Sequence, residues 1–569
     1  MGLAGGPGSS GSRPCRLAWR DLIATYALLA SIASLGPDPA AGGSGAEPPP
    51  HVGEAGARSR QRANAPKAQA PGGSAALPVD TLRAIRERGE LRWGADAFGG
   101  APYVFQDPKD PNHLIGYEVE LADAIARRLG VKARPAEGAW DKLLELLARG
   151  DFDVALNGIE VAAEKRRVCL LSRPYYAAGE RLTVRRGDPN APRTLTAVAG
   201  RRVGTLPGSL AQRMLERAGA VVLTYDGGQN DIYDDLRLGR TDAVLLDEPI
   251  ARYYGDIQPE LETLPGSFGE VRYAVAIRHG DEPLKAAIDD AIDELARAGE
   301  LREIYQRWGI WNAETAALLG DTSPRSSALA ERYEAWRAAV GRPPSLRERL
   351  TDRYPRTFWL FARGAGFTLA LSMASMALAM AAGAVLATMR RYGSRPLRWM
   401  AVGYVEFVRG TPLLVQLIMI YFGLPELGVK LDPFVAGWLA LGLNYAAAEA
   451  ENYRAGLESV PAAQSEAAAT LGLSRLQTLR HVVAPQALRI AVPPMTNDLI
   501  ALLKDSSLVS IVTLTELTKT YSNLAASMRD HLGLGILVAA WYLAIGLPLA
   551  RLGRAVEGRL GRHLGRAAT

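Results

Sequence analysis

Cysteine is almost absent: two in 569 residues, Cys15 and Cys169, far apart. That excludes a disulfide framework and a cysteine metal knuckle, and leaves the redox compartment open. No G-x-x-x-x-G-K-[ST] occurs anywhere, so the chain has no P-loop with which to hydrolyse ATP. Acidic charge is also in slight deficit, with a net charge of +6. Much of the basic excess is arginine beside apolar runs, where cytoplasmic loops of membrane proteins collect it, so orientation explains it without nucleic acid.

What is present divides the chain. Arg13, Arg16 and Arg20 precede an apolar stretch from Leu22 to Leu35, too short for a comfortable span, so residues 1–36 read as a secretory signal or short anchor. Cys15 stands ahead of that stretch, the wrong place for a lipoprotein cysteine. Residues 37–77, rich in Pro, Gly, Ala and Arg, cannot bury a core and read as a disordered tether. From 78 to 312 helical and strand patterns alternate: "IGYEVELADAIARRLG" places Val119, Leu121, Ala122, Ile125, Ala126 and Leu129 at helical spacing, and "TDAVLLD" reads as a strand. Alternation predicts an α/β domain whose ligand sits at the carboxyl ends of strands.

Residues 313–354 form a polar linker with one amphipathic helix. Beyond it, Gly366 to Met389 carries no charge and is long enough for a bilayer. Further spans are expected near 401–424, 433–454, 490–514 and 532–550, about five helices within a membrane domain at 355–555, followed by a basic tail at 556–569. The arginines after the first span (Arg390, Arg391, Arg395, Arg398), after the third (Arg475, Arg480, Arg489) and in the tail put those segments in the cytoplasm and the α/β domain outside. Charges inside spans face the bundle or a watery path. Glu406 and Arg409 share a helical face and are expected to pair. Asn497, Asp498, Lys504 and Asp505 join them as candidates for the translocation path, with structural pairing the competing reading.

Between the third and fourth spans, "EAAATLGLSRLQTLRHVVAPQ" reads as a helical hairpin. Pro461 suits a first helical turn, Gly472 ends the first helix, and Ser474 with Gln477 forms a capping box for a second helix that stops near Pro485.

The blocks "APYVF", "LIGYEVELADAIARRLG", "WDKLLELLARGDFDVALNG", "LSRPYY", "GRRVGTLPGSLA", "GRTDAVLLDEPIA" and "GELREIYQRWG" resemble, in that order, the periplasmic solute-binding proteins of polar amino acid ABC importers. The resemblance implies a bilobed periplasmic-binding-protein fold, with strands crossing between lobes near 180 and 272. It makes Asp247 the receiver of the ligand's α-ammonium and sets Gly208 and Ser209 at a helix N-terminus suited to its carboxylate. It also places Tyr103, Trp140, Gly158 and Asp96 around the ligand. The same family has an arginine for the carboxylate where this chain reads "GIEVAAEKRR": Lys165 stands at that place, Arg166 one residue on, and Glu160 adds a negative charge nearby. Which cation serves is open, and a salt bridge is the competing role for Glu160. Glu466, Ala467, Ala468, Gly472, Val482 and Pro485 resemble the EAA loop, here 458–490, of histidine- and glutamine-type ABC permeases, which docks on an ATPase.

The resemblance therefore implies a receptor fused to its permease. It carries a small-molecule amino acid, has no cofactor of its own, and leaves ATP to a partner ATPase dimer. The permease domain is expected to form a homodimer in a bacterial inner membrane. A ligand-gated sensor or channel would leave the hairpin unexplained. A dehydratase-like enzyme on the same fold would need an acid/base pair, for which only Glu160 and His113 offer themselves.

Overall fold

The computed structural model describes residues 80–97, 100–225, 228–321, 330–341 and 344–561. The leader, the tether, Cys15 and the end of the basic tail lie outside the described residues.

Helical periodicity becomes packing in Tyr117–Arg128, which buries Leu121, Ala122, Ile125 and Ala126 against the core. Gly116 starts that helix at φ 146°, where a Cβ would overlap the carbonyl oxygen of Tyr103, so glycine alone lets helix and loop meet. In one lobe, strands Glu90–Ala95, Lys132–Glu137 and Val154–Ala155 pair in parallel. In the other, Arg202–Thr205, Val221–Thr224 and Ala243–Asp247 do the same. Two long antiparallel strands, Leu170–Arg185 and Phe268–Ile277, connect the lobes. The first pairs onward with Ala243–Asp247 and the second with Val154–Ala155, so one sheet path runs through both lobes.

The helix expected in the linker is Glu331–Val340. It does more than link: Tyr333 and Trp336 are buried, with ring centroids 5.0 and 4.6 Å from that of Tyr253.

Tyr354–Tyr392 is one 39-residue helix, about 58 Å long at the usual rise. It lies along Pro433–Glu458, and small residues permit the approach. A Cβ on Gly383 would stand 2.6 Å from that of Glu449, while Ala379, Ala446, Ala447 and Ala450 are buried. Among the described residues two helices, Leu346–Tyr392 and His531–Val556, are long and apolar enough to cross a membrane. A third counts if Arg395–Gly410 and Leu413–Leu427, bent by 106°, are one span. That bend falls inside the span expected over 401–424, at Thr411 and Pro412, where proline offers no N–H to continue the helix. Helices also occupy the third and fourth expected places, but Asn444, Glu449 and Glu451 interrupt the apolar character of Pro433–Glu458. Asn497, Asp498 and two internal prolines do so in Ala484–Asp505. That fourth helix ends at Asp505, short of the expected 514, and continues as a tight turn Ser506–Val512.

The hairpin has its first helix at Ala462–Thr470, with Pro461 as the cap just before it instead of inside its first turn. Gly472 turns at φ 79°, and Ser474 and Gln477 form a reciprocal capping box. The second helix does not stop at Pro485. Arg475–Thr478 leads through a wide turn, Leu479–Val483, into Ala484–Asp505, with Pro485 in the first turn of that helix. The wide turn absorbs the hydrogen bond that proline cannot make.

The α/β domain and the helices belong to one compact unit. The Arg149 guanidinium lies 3.7 Å from the Tyr421 ring centre and donates to the Leu431 carbonyl at 3.0 Å. Lys430 pairs with Asp151 at 2.9 Å, and Asn230 donates to the Ala526 carbonyl at 2.9 Å.

Candidate functional site

A cavity of about 170 Å³ opens between the lobes, far above the 10–15 Å³ or so that one water needs. Its walls include Asp96, Tyr103, Trp140, Gly158, Glu160, Ser209 and Asp247. Gly208 sits one residue outside the lining, at φ 67°, where it shapes the turn before Ser209 caps the helix Leu210–Arg217. Ser209 accepts from the Gln212 amide at 3.1 Å.

Asp247 ends the strand Ala243–Asp247, which delivers its carboxylate to the cleft. Tyr103 and Tyr273 both donate to Oδ2, and their hydroxyls are 3.1 Å apart. Oδ1 is buried without a hydrogen-bond partner. Burial pushes this carboxyl up to about 6 against the two tyrosine hydrogen bonds, which favour the charged form. Trp140 is fixed at both ends: its amide donates to Asp96 at 3.0 Å and its indole to the Asn157 carbonyl at 2.9 Å. The Gly158 amide donates to Glu118 at 2.8 Å, whose carboxyl burial raises to about 7.

Glu160 makes the salt bridge that competed with ligand contact, and it makes it on the cavity wall. It accepts from the Leu210 amide at 2.9 Å and from Arg213 at 3.0 Å, tying one lobe to the helix N-terminus of the other. A carboxylate of the protein therefore stands where the sequence places the ligand's. Lys165 and Arg166 do not line the cavity. The Lys165 ammonium lies 5.3 Å from the ring centre of the wall residue Trp140, and Arg166 is exposed. His113 is exposed, bonded to Asp110, and does not line the cavity.

Among the wall residues that escaped sequence reading, three carry the most chemistry. Tyr273 lies on the second connecting strand, and Lys519 comes from the helical part of the chain, 3.3 Å from Glu137 and 3.6 Å from Asp96. Glu180, 2% exposed, is the third. Its signal was present: Ala178 and Leu182, its period-two neighbours, are apolar, which marks an acid facing inward.

In the helical part, Asp498 accepts from Asn452 at 2.8 Å and Asp505 from Tyr445 at 2.7 Å, whereas Asn497 and Lys504 are exposed. The expected Glu406–Arg409 pair is not made: both are exposed, and a surface pair gains too little to hold two long side chains. On the hairpin Ala468 is buried, while Glu466, Ala467, Gly472 and Pro485 are exposed, beside Leu471 and Leu476 at 81% and 73%.

Residues 91–310 match the family of bacterial extracellular solute-binding proteins, family 3, and residues 379–562 the binding-protein-dependent transport system inner membrane component. The L-cystine transport system permease protein TcyB of Bacillus subtilis (strain 168) is 36% identical over 37% of this chain and 92% of its own length. The L-cystine-binding protein TcyJ of Escherichia coli (strain K12) is 32% identical over 40% of this chain and 85% of its own. Holo ArgBP from T. maritima, a solved structure, is 31% identical over 37% of this chain and 93% of that one, with a TM-score of 0.35. Both halves thus find their relatives in a single transport system type, and the chain belongs to the amino acid ABC transporter family, as an inner-membrane permease fused to its own solute-binding domain.

Proposed function

We propose that the cavity captures a polar amino acid outside the membrane and that the same chain passes it inward, in a homodimer driven by separate ATPase subunits docked on the 458–490 hairpin. The observation that carries this reading is the joint between the two parts: a lysine of the helical part, Lys519, forms part of the wall of the solute cavity. The cavity and the helical part are thereby in contact within one polypeptide, which supports capture and passage by the same chain. The exposed Leu471 and Leu476 give the hairpin an apolar face for a protein partner.

The test is uptake by the full chain in proteoliposomes. A labelled amino acid should accumulate only when ABC ATPase subunits and ATP are supplied on the hairpin side. Uptake by the chain alone, or none with any amino acid despite ATP turnover, would overturn the reading.

A further inference from the structure

The cavity wall carries more carboxylates than it can neutralise. Glu160 is matched by Arg213 and the Leu210 amide. Asp96 shares Lys519 with Glu137. Asp141, largely exposed, lies 4.0 Å from Lys142. Glu180 and Asp247 remain. They are Cα partners across the antiparallel strands Leu170–Arg185 and Ala243–Asp247, so their side chains emerge side by side on the wall. No cation lies within ion-pairing distance of either among the described residues, Arg213 acting on Glu180 only from farther off, and Glu180 Oε2 and Asp247 Oδ1 are both buried without a well-formed hydrogen bond, the Ile250 amide being the nearest backbone donor to Asp247.

Two like charges directly opposite each other on a sheet repel, and buried carboxylates lacking a counter-charge are costlier still. A neutral polar group would supply a donor but leave the charge uncompensated. An ammonium supplies three N–H donors and the charge together, enough for one bond to each orphan oxygen. We propose that the solute is an organic ammonium ion of net positive charge, its ammonium group held jointly by Glu180 and Asp247, which makes Glu180 a specificity-determining residue. This rests on the reading of the cavity as the importer's solute site. Glu160 adds to it, because it already occupies the helix N-terminus that would balance the negative end of a zwitterion.

The test is calorimetric titration of the full chain in nanodiscs with the twenty amino acids and putrescine. Lysine, arginine or putrescine should bind at least tenfold tighter than glutamine, and glutamate should not bind. Lysine ahead of putrescine identifies a cationic amino acid; putrescine ahead identifies an amine without a carboxylate. Glu180→Gln keeps the side chain's shape, removes the repulsion and should fold at least as stably. It should weaken the preferred cation at least tenfold and glutamine less than threefold. A neutral or acidic amino acid as the tightest ligand, or a Glu180→Gln variant with unchanged preference, would overturn the proposal and leave the importer reading standing. Silence across the whole panel would strike the amino acid reading itself.

Discussion

Glu180, buried, and Asp247, half-buried, face one another across two strands, each with one carboxylate oxygen that is itself buried and lacks a well-formed hydrogen bond. Burial is the main cause that holds both carboxyls up, Asp247 at about 6 and Glu180 well above the ordinary carboxylate value, with the charge of Asp247 adding to the effect on Glu180. The cleft without solute is therefore partly protonated near neutrality, and a cation must displace protons to bind.

Affinity for a cationic solute should accordingly rise as pH climbs through about 6, with proton release on binding. Stability moves the other way. A carboxyl raised above its unfolded value of about 4 contributes fully below that value, and the contribution is lost as pH rises through the folded one. Tyr103, Tyr273, Glu160 and Arg213 surround the pair, and the tyrosines stay neutral across this range because burial raises them. Titration at pH 5, 6 and 7.5 with melting curves of the ligand-free chain checks both; a flat affinity profile would exclude the coupling.

Replacing Asp247 by alanine removes the acceptor of Tyr103 and Tyr273 and one side of the ammonium contact. Breaking a buried pair from one side costs roughly 3–5 kcal/mol, so affinity should fall at least a hundredfold. Near-normal calorimetric binding by a folded Asp247→Ala chain would make Asp247 part of the scaffold.

Helix periodicity, strand alternation, the capping box at Ser474 and the glycine turn at Gly472 were all legible because each is decided within a few neighbouring residues. The site was legible as far as family blocks reach: Asp247, Tyr103, Trp140 and Asp96 do meet on one cavity. Pairings set by register and docking were not. Nothing near Glu180 announces Asp247 as its partner, and nothing near Lys519 points to Asp96 or Glu137. The bend at Pro412 and the helix running on through Pro485 show why proline is an uncertain stop: the outcome depends on whether the backbone turns or widens to absorb the lost bond.

Lys519 is the cation of the joint between the two parts, and Lys519→Met leaves Asp96 and Glu137 facing each other without it. The joint should loosen, with faster deuterium uptake around 140–160 and loss of transport, while a cationic solute still binds. Unchanged exchange and uptake would show that the contact serves packing only.

Neither Lys165 nor Arg166 lines the cavity, so neither should be essential to binding. Lys165→Met loses its place over the Trp140 ring, a contact on the order of 0.5–1 kcal/mol, and should weaken binding no more than about fivefold. Arg166→Met should be silent. A tenfold loss from either would mean that the 160–167 segment rearranges around the bound solute and brings a cation to its carboxylate.

Gly472 bears on coupling. It turns the hairpin at φ 79° with nothing within 4 Å of where a Cβ would stand, so a side chain meets backbone strain but no clash. The strain is about 1–2 kcal/mol and falls on an exposed turn remote from the cavity. Gly472→Asp should therefore keep solute affinity and the folded state, yet place a charge between the exposed Leu471 and the second helix, on the surface assigned to the ATPase. Transport and solute-stimulated ATP hydrolysis should both drop in proteoliposomes while titration stays normal. Gly472→Ala, with similar strain and no charge, separates the two causes: if it impairs transport as severely, the turn's shape matters, and if neither variant does, the hairpin is not the coupling surface.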